Sequence, residues 1–554
     1  MAVKTQKIVA DFETTTTPDD VRVWAACAVD IDTSETVYIG NCIEGFMEWL
    51  ADKNTVCYFH NLKFDGEFIL HYLLSHGYEY SDTHAPRTFE TLITDTGIFY
   101  SITVYFAKEN KKYKKVVFYD SLKKLPFKVS VISKAFELAD EKLEIDYEAP
   151  RPRGHELTEE ERAYIVNDCR IVAQALKIQM EQGLKKMTNA SDAMNDYKAI
   201  AGKKYFEKWF PVLPLELDAD IRRAYKGGFV YLNPKHRGRE GLQGITLDVN
   251  SLYPSVMYYS LLPYGYPMYF EGEPVHDESW PLFIVRLACE FEVKKGHIPT
   301  IQLKNNRAFV ETEYLRSSNG EIVELTLTNV DLKLFLEHYD VYNLEYQCGW
   351  KFKGAVGMFK DYIDHWMHVK ETTTGALRQL AKLMLNSLYG KFATNPNARK
   401  KIPVIDHDGV VRYILDDPET RDPVYTAMGA FITAYAREKT IRSAQACFDR
   451  FIYADTDSLH LIGHEPPEGL EIHPTKLGAW KNEGCFEYSK YIRAKTYMET
   501  VDGVTKVTCA GMPDNVKEAV TYENFHSGST FDGKLMPRRY PGGIVLEKTT
   551  FTIK

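Results

Sequence analysis

The sequence is poor in the features that mark membrane, secreted or disulfide-stabilised proteins. No apolar run approaches the roughly 18 residues that a transmembrane helix needs, and residues 1–7 contain no apolar core of a signal peptide. The nine cysteines are scattered singly and form no CxxC pair. Such an odd, unpatterned set indicates reduced thiols in a cytosol and argues against a disulfide framework or a zinc site.

An excess of positive charge is also missing. Lys and Arg number 68 and Asp and Glu number 77, which gives a formal charge of −9, whereas nucleic-acid-binding domains are usually basic. Fields act locally, however. Residues 366–401 hold seven basic residues and one acid, and residues 108–115 hold five lysines. These segments fit basic channels beside acidic metal sites; the alternative is that the lysine runs are solvated loops.

Size and composition are those of a globular protein with several domains. At roughly 100–200 residues per domain, 554 residues predict about three to five units. The 44% of hydrophobic residues can bury a sizeable core. Strand and helix patterns mix up to about residue 187, which predicts an α/β domain, and mixed α+β segments without an internal repeat follow it.

A first group of carboxylates follows predicted elements in the N-terminal part. The group consists of Asp11 and Glu13 after a strand over 8–10, Asp65 after a strand over 56–59, and Asp168 on a helix over 157–182. Acids that converge repel one another unless divalent cations lie between them, as in two-metal phosphodiesterases. Tyr164, one helical turn before Asp168, is placed to orient water. The alternative is that each acid caps a helix or lies on the surface.

A second group of carboxylates lies in the C-terminal half. Asp248 ends a predicted strand over 244–250, and a helix is predicted over 251–259. Asp455 and Asp457 lie at the tip of a predicted hairpin between two apolar strands. Acids on adjacent strands can hold two Mg²⁺ ions on a triphosphate. The alternative is a plain turn, since Asp favours turns.

A helix predicted within residues 358–390 separates these acids in sequence. At ~100° per residue, one stripe of this helix carries Arg378, Lys382, Asn386 and Tyr389, and the opposite stripe is apolar. The cationic stripe can hold triphosphate oxygens while the tyrosine stacks on a base. The alternative is an ordinary solvated face.

Eight short motifs resemble those of family B DNA polymerases and occur in the order found in that family. They are Asp11-Phe12-Glu13, Asn61 to Asp65, Tyr164 to Asp168, Tyr225-Lys226-Gly227-Gly228, Asp248 to Ser255, Lys382 to Gly390, Tyr453 to Ser458, and Lys495-Thr496-Tyr497. The similarity is closest to the protein-primed polymerases of small Bacillus-type podophages. Three further stretches carry this likeness: Asp120 to Pro126, Gln379 to Phe392, and Phe551 to Lys554.

The resemblance implies an RNase H-like 3′–5′ exonuclease domain followed by a right-hand polymerase with two insertions. The expected boundaries are 1–187 for the exonuclease, 188–260 and 421–525 for the palm, 261–357 for a first insertion that docks a terminal protein, 358–394 for the fingers, 395–420 for a second insertion that supports strand displacement and processivity, and 526–554 for the thumb. From the sequence itself, residues 261–357 show short strands and no long helix, and residues 395–420 predict a β-hairpin.

The resemblance also implies residue roles. The expected catalytic residues are Asp11, Glu13, Asp65, Lys142, Tyr164 and Asp168 in the exonuclease, and Asp248, Asp455 and Asp457 in the polymerase. The expected metal ligands are Asp11, Glu13, Glu144, Asp168, Asp248, the Val249 carbonyl, Asp455 and Asp457. The expected nucleotide-binding residues are Val249, Tyr253 as a gate against the ribose 2′-OH, Lys370, Lys382, Asn386 and Tyr389. The expected DNA-binding residues are His60, Asn61, Phe64, Ser121, Leu122, Tyr225, Gly227, Gly228, Ser251, Lys495 and Tyr497.

We therefore expect a DNA-directed DNA polymerase with a proofreading 3′–5′ exonuclease that replicates linear viral DNA by protein-primed, strand-displacing synthesis. The expected cofactor is Mg²⁺, two ions per active site, with Mn²⁺ as a substitute. The expected partners are template and primer DNA, dNTPs and a terminal protein, with the enzyme a monomer or a heterodimer with that protein in the host cytoplasm. One alternative is a family B polymerase that extends only nucleic-acid primers. Another is a non-catalytic nucleic-acid-binding scaffold.

Overall fold

The computed structural model describes residues 5–109, 112–302 and 314–554. Parts of three predicted segments therefore lie outside the described residues: residues 1–4 of the N-terminus, 110–111 of the lysine-rich run, and 303–313 of the first insertion. Within the described ranges, no helix is long and apolar enough to cross a membrane.

An eight-stranded mixed sheet forms the N-terminal unit. Its strands are β1 (Gln6–Thr14), β2 (Val23–Asp30), β3 (Thr36–Gly40), β4 (Thr55–Phe59), β5 (Glu79–Tyr80), β6 (Thr88–Ile93), β7 (Phe99–Glu109) and β8 (Lys112–Asp120). They are ordered β3-β2-β1-β4-β8-β7-β6-β5, with β1 antiparallel to β2 and parallel to β4. The strand predicted over 8–10 thus continues through its two acids, which alternate with the buried Phe12 and share one face of the sheet.

Four helices pack around this sheet: α1 (Ile43–Ala51), α2 (Leu62–Ser75), α3 (Val129–Ala135) and α4 (Glu159–Glu181). Thr158 caps helix α4. The Thr158 hydroxyl accepts from the Glu161 N–H at 3.1 Å, and the Glu161 carboxylate accepts from the Thr158 N–H at 3.0 Å. This capping box begins the helix that carries Asp168.

The chain then enters the central part of the molecule through helices and two short strands. These are α5 (Asn189–Ala201), α6 (Lys203–Trp209), α7 (Leu215–Arg222), β9 (Val230–Leu232), β10 (Gly244–Val249) and α8 (Leu252–Tyr259). The strand and helix predicted at 244–259 are present, and between them Ser251 takes a left-handed conformation with φ 55°. Ser251 thus makes the sharp turn between β10, which ends with Asp248 and Val249, and the start of α8.

Residues 261–357, the expected first insertion, have a small hydrophobic core of their own and also contribute to the main core of the molecule. The insertion contains β11 (Leu262–Glu271), β12 (Leu282–Val293), β13 (Ile301–Gln302), β14 (Tyr314–Leu315), β15 (Val323–Thr328), α9 (Asn329–His338) and β16 (Tyr339–Ala355). Four of its strands form a sheet in the order β11-β16-β12-β15. Asp331, in the first turn of α9, forms a buried ion pair with Arg437 of a later helix. The same guanidinium donates to the carbonyl oxygens of Lys226 and Gly227, both at 2.9 Å.

The predicted helical segment after the insertion consists of two helices, α10 (Lys360–Thr372) and α11 (Gly375–Phe392), because residues 373–374 break the helix. The second insertion holds β17 (Asn397–Ala398), β18 (Lys401–Ile405), β19 (Val411–Leu415) and β20 (Glu419–Thr420), and helix α12 (Thr426–Ala446) follows. Strands β18 and β19 form the predicted hairpin, which we call the second-insertion hairpin.

The remaining elements are β21 (Phe451–Asp455), β22 (Ser458–Ile462), β23 (Trp480–Phe486), β24 (Tyr488–Arg493), β25 (Thr496–Val501), β26 (Val504–Cys509), α13 (Asp514–Lys517), β27 (Thr530–Tyr540) and β28 (Gly543–Thr552). A central five-stranded sheet has the order β23-β10-β22-β21-β9, so strands distant in sequence become neighbours. Strands β27 and β28 form the C-terminal hairpin.

Candidate active sites

The first group of predicted residues lines one cleft of about 1080 Å³ beside the N-terminal sheet. The predicted residues in its wall are Asp11, Glu13, His60, Asn61, Phe64, Asp65, Lys142, Tyr164 and Asp168. They come from β1, the β4–α2 turn, the segment after α3, and α4. Three of the four acids are almost fully buried: Glu13 is 8%, Asp65 4% and Asp168 6% exposed.

The turn from β4 into α2 places three of these residues. Asn61 has φ 79°, a left-handed conformation that Asn tolerates better than most residues. It ends the strand and starts α2, so Asp65 lies in the first helical turn. His60 is fixed on both ring nitrogens, since Nδ1 lies 2.9 Å from the Ser121 hydroxyl and Nε2 lies 2.7 Å from the Phe127 carbonyl oxygen.

The four carboxylates perturb one another. Burial and the neighbouring Asp168 raise the pKa of Asp11 to about 7. Burial followed by Asp11 likewise raises the pKa of Glu13 and of Asp65 well above their ordinary values. Burial also raises the pKa of Asp168, although Lys142 opposes this shift. Four acids close enough to resist ionisation form a site that a cation would stabilise.

Lys142 and two tyrosines complete this cleft. The Lys142 ammonium forms an ion pair with Asp168 and lies 3.1 Å from the Tyr164 hydroxyl. The Tyr164 hydroxyl also hydrogen-bonds that of Tyr147, a cleft residue that the sequence analysis missed. No spacing rule points to Tyr147, because it lies in an irregular segment between α3 and α4.

Three predicted residues are placed differently from the rest. Ser121 is fully buried and its hydroxyl holds His60, so its side chain supports the cleft from behind. Leu122 is partly buried beside it and donates its N–H to Asp120 at 3.1 Å. Glu144, expected to be a metal ligand, is exposed and does not line the cleft. Its segment is not a strand, so the two-residue spacing from Lys142 does not put both side chains on one face.

The C-terminal hairpin supplies a second wall that the sequence analysis missed. Its cleft-lining residues are Leu535, Val545, Leu546, Glu547 and Lys548. Two of them are large apolar residues that remain exposed, Leu535 at 44% and Leu546 at 42%. More than five hundred positions separate them from Asp11, and their pattern in the sequence is that of an ordinary hairpin.

The second group of acids meets at one end of the central sheet. In the antiparallel register Asp248 of β10 lies opposite Ser458 of β22. The Val249 N–H donates to the Asp457 carbonyl oxygen at 2.8 Å, which draws the acid-bearing turn against β10. Burial and then Asp457 raise the pKa of Asp248 to about 7, and burial raises the pKa of Asp457. The predicted convergence of Asp248 and Asp457 is thus present.

Asp455 has a different partner from the other two acids. The Lys495 ammonium lies 3.0 Å and 2.9 Å from its two carboxylate oxygens. The Lys495 N–H donates to the Tyr453 hydroxyl at 3.0 Å. Tyr497 packs beside Tyr453 with ring centres 5.2 Å apart. The Lys-x-Tyr motif therefore lies against the Tyr-x-Asp part of the hairpin turn.

Helix α11 presents its predicted stripe. Arg378 and Asn386 are exposed, Lys382 and Tyr389 are half-buried, and the opposite face is mostly buried. The Tyr389 ring stacks on Tyr253 of α8, with ring centres 3.9 Å apart and an angle of 19°. Nearby, the Lys370 ammonium donates to the Ser251 hydroxyl at 3.0 Å. Burial, together with Lys382 and Arg378, lowers the pKa of Lys370, although Glu371 opposes this shift.

The Tyr-x-Gly-Gly motif approaches the same turn. A Cβ added to Gly228 would lie 2.5 Å from the Thr456 hydroxyl, so only glycine fits there. Thr456 has φ 59° and donates its N–H to the Phe229 carbonyl oxygen at 2.6 Å. The Gly227 carbonyl oxygen accepts a hydrogen bond from Arg437. Burial, and then the neighbouring Tyr389, raise the pKa of Tyr225.

Neither group of acids has its side chains arranged around a common point where a metal ion would bind. In the described part of the chain, no group of three or more His, Cys, Asp or Glu side chains is arranged to hold a metal ion. The donor chemistry nevertheless fits hard divalent cations. Asp65 Oδ1 and Asp168 Oδ1 are buried without a hydrogen-bond partner among the described residues, and the raised carboxylate pKa values reflect repulsion that a cation would remove.

Paired acids at one end of a central sheet, faced by a helix that carries lysine and tyrosine, define an enzyme that polymerises nucleotides. Comparison with known proteins identifies the group. The family described as DNA polymerase type B, organellar and viral, matches residues 48–152 and 141–472. The chain belongs to this family and is a DNA-directed DNA polymerase.

Relatives and solved structures agree over the whole chain. DNA polymerases of Bacillus phages PZA and phi29 are each 49% identical to it, over 98% of this chain and 99% and 98% of theirs. The DNA polymerase of Streptococcus phage Cp-1 is 35% identical over 98% of both chains. The structure of phi29 DNA polymerase complexed with primer-template DNA matches with a TM-score of 0.95 at 48% identity, covering 100% of each chain. The fold is therefore a mixed α/β multidomain polymerase.

Proposed function

We propose that this polymerase also proofreads and that it starts synthesis on a protein. Residues 1–187 would form the 3′–5′ exonuclease domain. The palm would comprise 188–260 and 421–525, the fingers 358–394 and the thumb 526–554. The observation that carries the proposal is the presence of two separate carboxylate groups, one in the N-terminal cleft and one in the central sheet. A polymerase that only adds nucleotides needs one group of carboxylates, so the second carboxylate group indicates a second activity.

The N-terminal cleft fits hydrolysis of a single-stranded primer end. Its acids lie along one wall, where a scissile phosphate would bind. Next to these acids lie an ammonium and a hydroxyl group: Lys142 can neutralise negative charge that develops on the phosphate, and Tyr164 can orient water. Half-buried Phe64 and exposed Asn61 at the cleft wall offer a ring and an amide to the terminal nucleotides.

The central site fits nucleotide addition. Lys370 and Lys382 supply positive charge for the triphosphate, since both lie on the side of the acids where α8 and α11 meet. The Tyr253 ring, stacked on Tyr389, forms a rigid surface under the sugar that leaves no room for a 2′-hydroxyl. Asn386 and Tyr389 face the same space from α11. Tyr225, Gly227, Gly228, Ser251, Lys495 and Tyr497 surround the acids and would contact template and primer.

The cofactor in this proposal is Mg²⁺, two ions per site, with Mn²⁺ able to replace it. Asp11, Glu13, Asp65 and Asp168 would hold the ions in the cleft, and Asp248, Asp457 and the Val249 carbonyl would hold them in the central site. Asp455 would lie nearby, paired with Lys495. When bound, the ions would activate the attacking oxygen and neutralise the leaving group.

Protein priming is proposed from the first insertion. It adds a four-stranded sheet between the two halves of the central site, far more chain than the short connections usual in compact domains. Three of its tyrosines are exposed, Tyr266 at 55%, Tyr269 at 49% and Tyr342 at 55%. A terminal protein docked there could present a hydroxyl to the site that otherwise accepts a primer 3′-OH. The enzyme would act as a monomer or as a heterodimer with that protein, on linear phage DNA in the host cytoplasm.

The deciding experiment is incubation with the terminal protein of the same phage, labelled dATP and Mg²⁺ or Mn²⁺. We expect a labelled protein–dAMP adduct that depends on Asp457. A polymerase that extends DNA primers but forms no adduct under any of these conditions would instead be a nucleic-acid-primed enzyme. A single-stranded DNA substrate labelled at its 5′ end tests the exonuclease in the same preparation.

A further inference from the structure

The Lys-x-Tyr motif lies on a different sheet from the acids of the central site. Strands β24, β25 and β26 form a three-stranded sheet, which we call the small sheet, whereas the acids lie on the central sheet. Lys495 is in the turn between β24 and β25, where its φ is 56°, and its ammonium pairs with Asp455 of the central sheet. The position of Lys495 in the central site therefore depends on the contacts that join the two sheets.

A buried carboxylate makes one of these contacts. Oε1 of Glu499, on β25, lies 2.7 Å from Nδ1 of His460, on β22, and the same oxygen accepts a hydrogen bond from the hydroxyl of Tyr491, on β24. Glu499 is 9%, His460 2% and Tyr491 0% exposed. Burial alone would raise the pKa of Glu499, but His460 and then Tyr491 outweigh this effect and lower it. The contact thus favours an ionised carboxylate, which is costly in the interior unless it is paired.

Strand alternation places this carboxylate beside the Lys-x-Tyr motif. Tyr497 and Glu499 are two residues apart on β25, so their side chains share one face of the small sheet. The centre of the Tyr497 ring lies 5.2 Å from that of Tyr453 and 5.3 Å from that of His460. Tyr453 of β21 is the register partner of His460 on β22. One face of β25 therefore meets the central sheet with both an aromatic ring and a carboxylate.

Tyr453 links this contact to the acid of the hairpin turn. Its hydroxyl donates to Asp455 Oδ2 at 3.2 Å and accepts from the Lys495 N–H at 3.0 Å. The Lys495 ammonium lies 3.0 Å and 2.9 Å from the two carboxylate oxygens of the same aspartate. A shift of β25 relative to β22 would therefore displace Lys495 from Asp455, because Lys495 directly precedes β25.

We propose that His460 and Glu499 are positioning residues for nucleotide addition. Their contact fixes the small sheet against the central sheet and thereby sets the place of Lys495 relative to Asp455 and to the primer end. The proposal rests on the proposed contact of Lys495 with the primer. It goes further by assigning the alignment of the primer 3′-OH to a buried contact between two sheets that the Lys-x-Tyr motif itself does not contain.

The first experiment measures single-nucleotide addition to saturating primer-template DNA. Glu499→Leu removes the acceptor and keeps a side chain of similar size, and we expect kcat to fall by about tenfold because a misplaced primer end reacts slowly. The KM for dNTP should stay within about twofold, since Lys370 and Lys382 lie on other elements. Glu499→Gln should restore kcat to within about threefold, because its amide oxygen can still accept from His460 and Tyr491.

Two further variants separate this effect from a loss of folded protein. His460→Phe keeps a ring among the tyrosines and removes the nitrogen, so it should lower kcat as Glu499→Leu does and tests the same contact if Glu499→Leu is unstable. Glu487→Leu is the matched control, because Glu487 directly precedes β24 and is exposed. Thermal unfolding gives the folded fraction, and kcat is expressed per folded molecule. Wild-type kcat in both Glu499→Leu and His460→Phe, or an equal loss in Glu487→Leu, would overturn the proposal.

The second experiment combines Glu499→Leu with Lys495→Ala. If Glu499 acts through Lys495, kcat of the double variant should lie within about twofold of that of Lys495→Ala alone. Effects that multiply would overturn the proposal and indicate that His460 acts on Asp248, with which it interacts electrostatically. A wild-type kcat in Lys495→Ala would show that the proposed primer contact is wrong, and positioning would fail with it. An impaired Lys495→Ala beside an unimpaired Glu499→Leu would reject positioning alone.

Discussion

The Val249 N–H donates to the carbonyl oxygen of Asp457 at 2.8 Å, so a main-chain hydrogen bond joins the two segments that carry the acids of the central site. The bond lies one residue beyond Asp248 and holds the hairpin turn against the end of β10. Because the link uses backbone atoms, the spacing of the two carboxylates does not depend on the side chains themselves. Substitutions of Asp457 should therefore remove chemistry and spare the fold.

Asp457→Ala is expected to reduce polymerisation by more than about a thousandfold, the equivalent of roughly 4 kcal/mol of lost charge stabilisation. The proposed exonuclease should be retained. The double variant Asp11→Ala with Glu13→Ala should show the reverse pattern. Primer extension and degradation of single-stranded DNA are measured on each preparation. Loss of both activities in either variant, with an unchanged circular dichroism spectrum, would contradict two independent sites.

Tyr253→Val is expected to admit ribonucleotides. The ring is held flat against Tyr389 at 3.9 Å, so it cannot swing away from a 2′-hydroxyl, whereas Val leaves that space open. The preference for dNTP over rNTP, measured as a ratio of kcat/KM, should fall by about a hundredfold. Tyr259→Val is the control, since Tyr259 lies on the same helix and is 57% exposed. An unchanged ratio in Tyr253→Val would place the gate elsewhere.

Lys382→Ala should weaken nucleotide use by about 10- to 100-fold in kcat/KM, the loss of a charge-assisted hydrogen bond to the triphosphate. Its side chain lies on the polar stripe of α11, so the midpoint of thermal unfolding should hardly change. Lys360→Ala serves as the control because Lys360 lies on the surface, where it pairs with Asp364 and lies over the ring of Tyr258. If Lys382→Ala melts early and its kinetics per folded molecule are normal, Lys382 has a structural role.

Glu161 predicts a specific pH dependence of stability. Burial alone would raise its pKa, but hydrogen bonds from the Thr158 N–H, His155 and Arg151 outweigh this and lower the pKa to about 2. Its stabilisation is therefore complete above the ordinary value of 4.5 and is lost as the pH falls towards 2. Glu161→Gln should cost roughly 2–3 kcal/mol at neutral pH and progressively less below pH ~4.5.

Thermal unfolding of Glu161→Gln and wild type across pH measures this difference. Glu160→Gln is the matched control, since Glu160 lies in the same helical turn and is exposed. A gap between wild type and Glu161→Gln that stays constant from pH 7 to pH 3 would show that the lost ion pair is not the cause.

Local signals explain which parts of this structure could be predicted from the sequence. The capping box at Thr158, the strand that carries Asp11 and the hairpin around Asp455 each depend on residues within a few positions of one another. The stripe on α11 follows from helical periodicity alone. Most of the predicted site residues lie on these strands and helices or at their ends, so predicting the elements also located the residues.

Long-range packing explains what could not be predicted. Nothing near Leu546 indicates that its hairpin lines a cleft built by residues 11–168. Glu144 was expected to be a ligand from the family resemblance alone, and its side chain is exposed in an irregular segment outside the cleft. Ser121 is fully buried behind His60, which follows from the packing of β8 against β4 and from no property of serine itself.

The Arg437–Asp331 ion pair has a consequence for any removal of the first insertion. Arg437 is 2% exposed and satisfies the carbonyls of Lys226 and Gly227 as well as Asp331. Excision of residues 261–357 would remove Asp331 and leave the buried Arg437 guanidinium without its carboxylate partner, next to the loop that contacts Thr456. Removal of the insertion alone would therefore destabilise the part of the chain that remains. A version of this chain without residues 261–357 would therefore need a replacement of Arg437 at the same time.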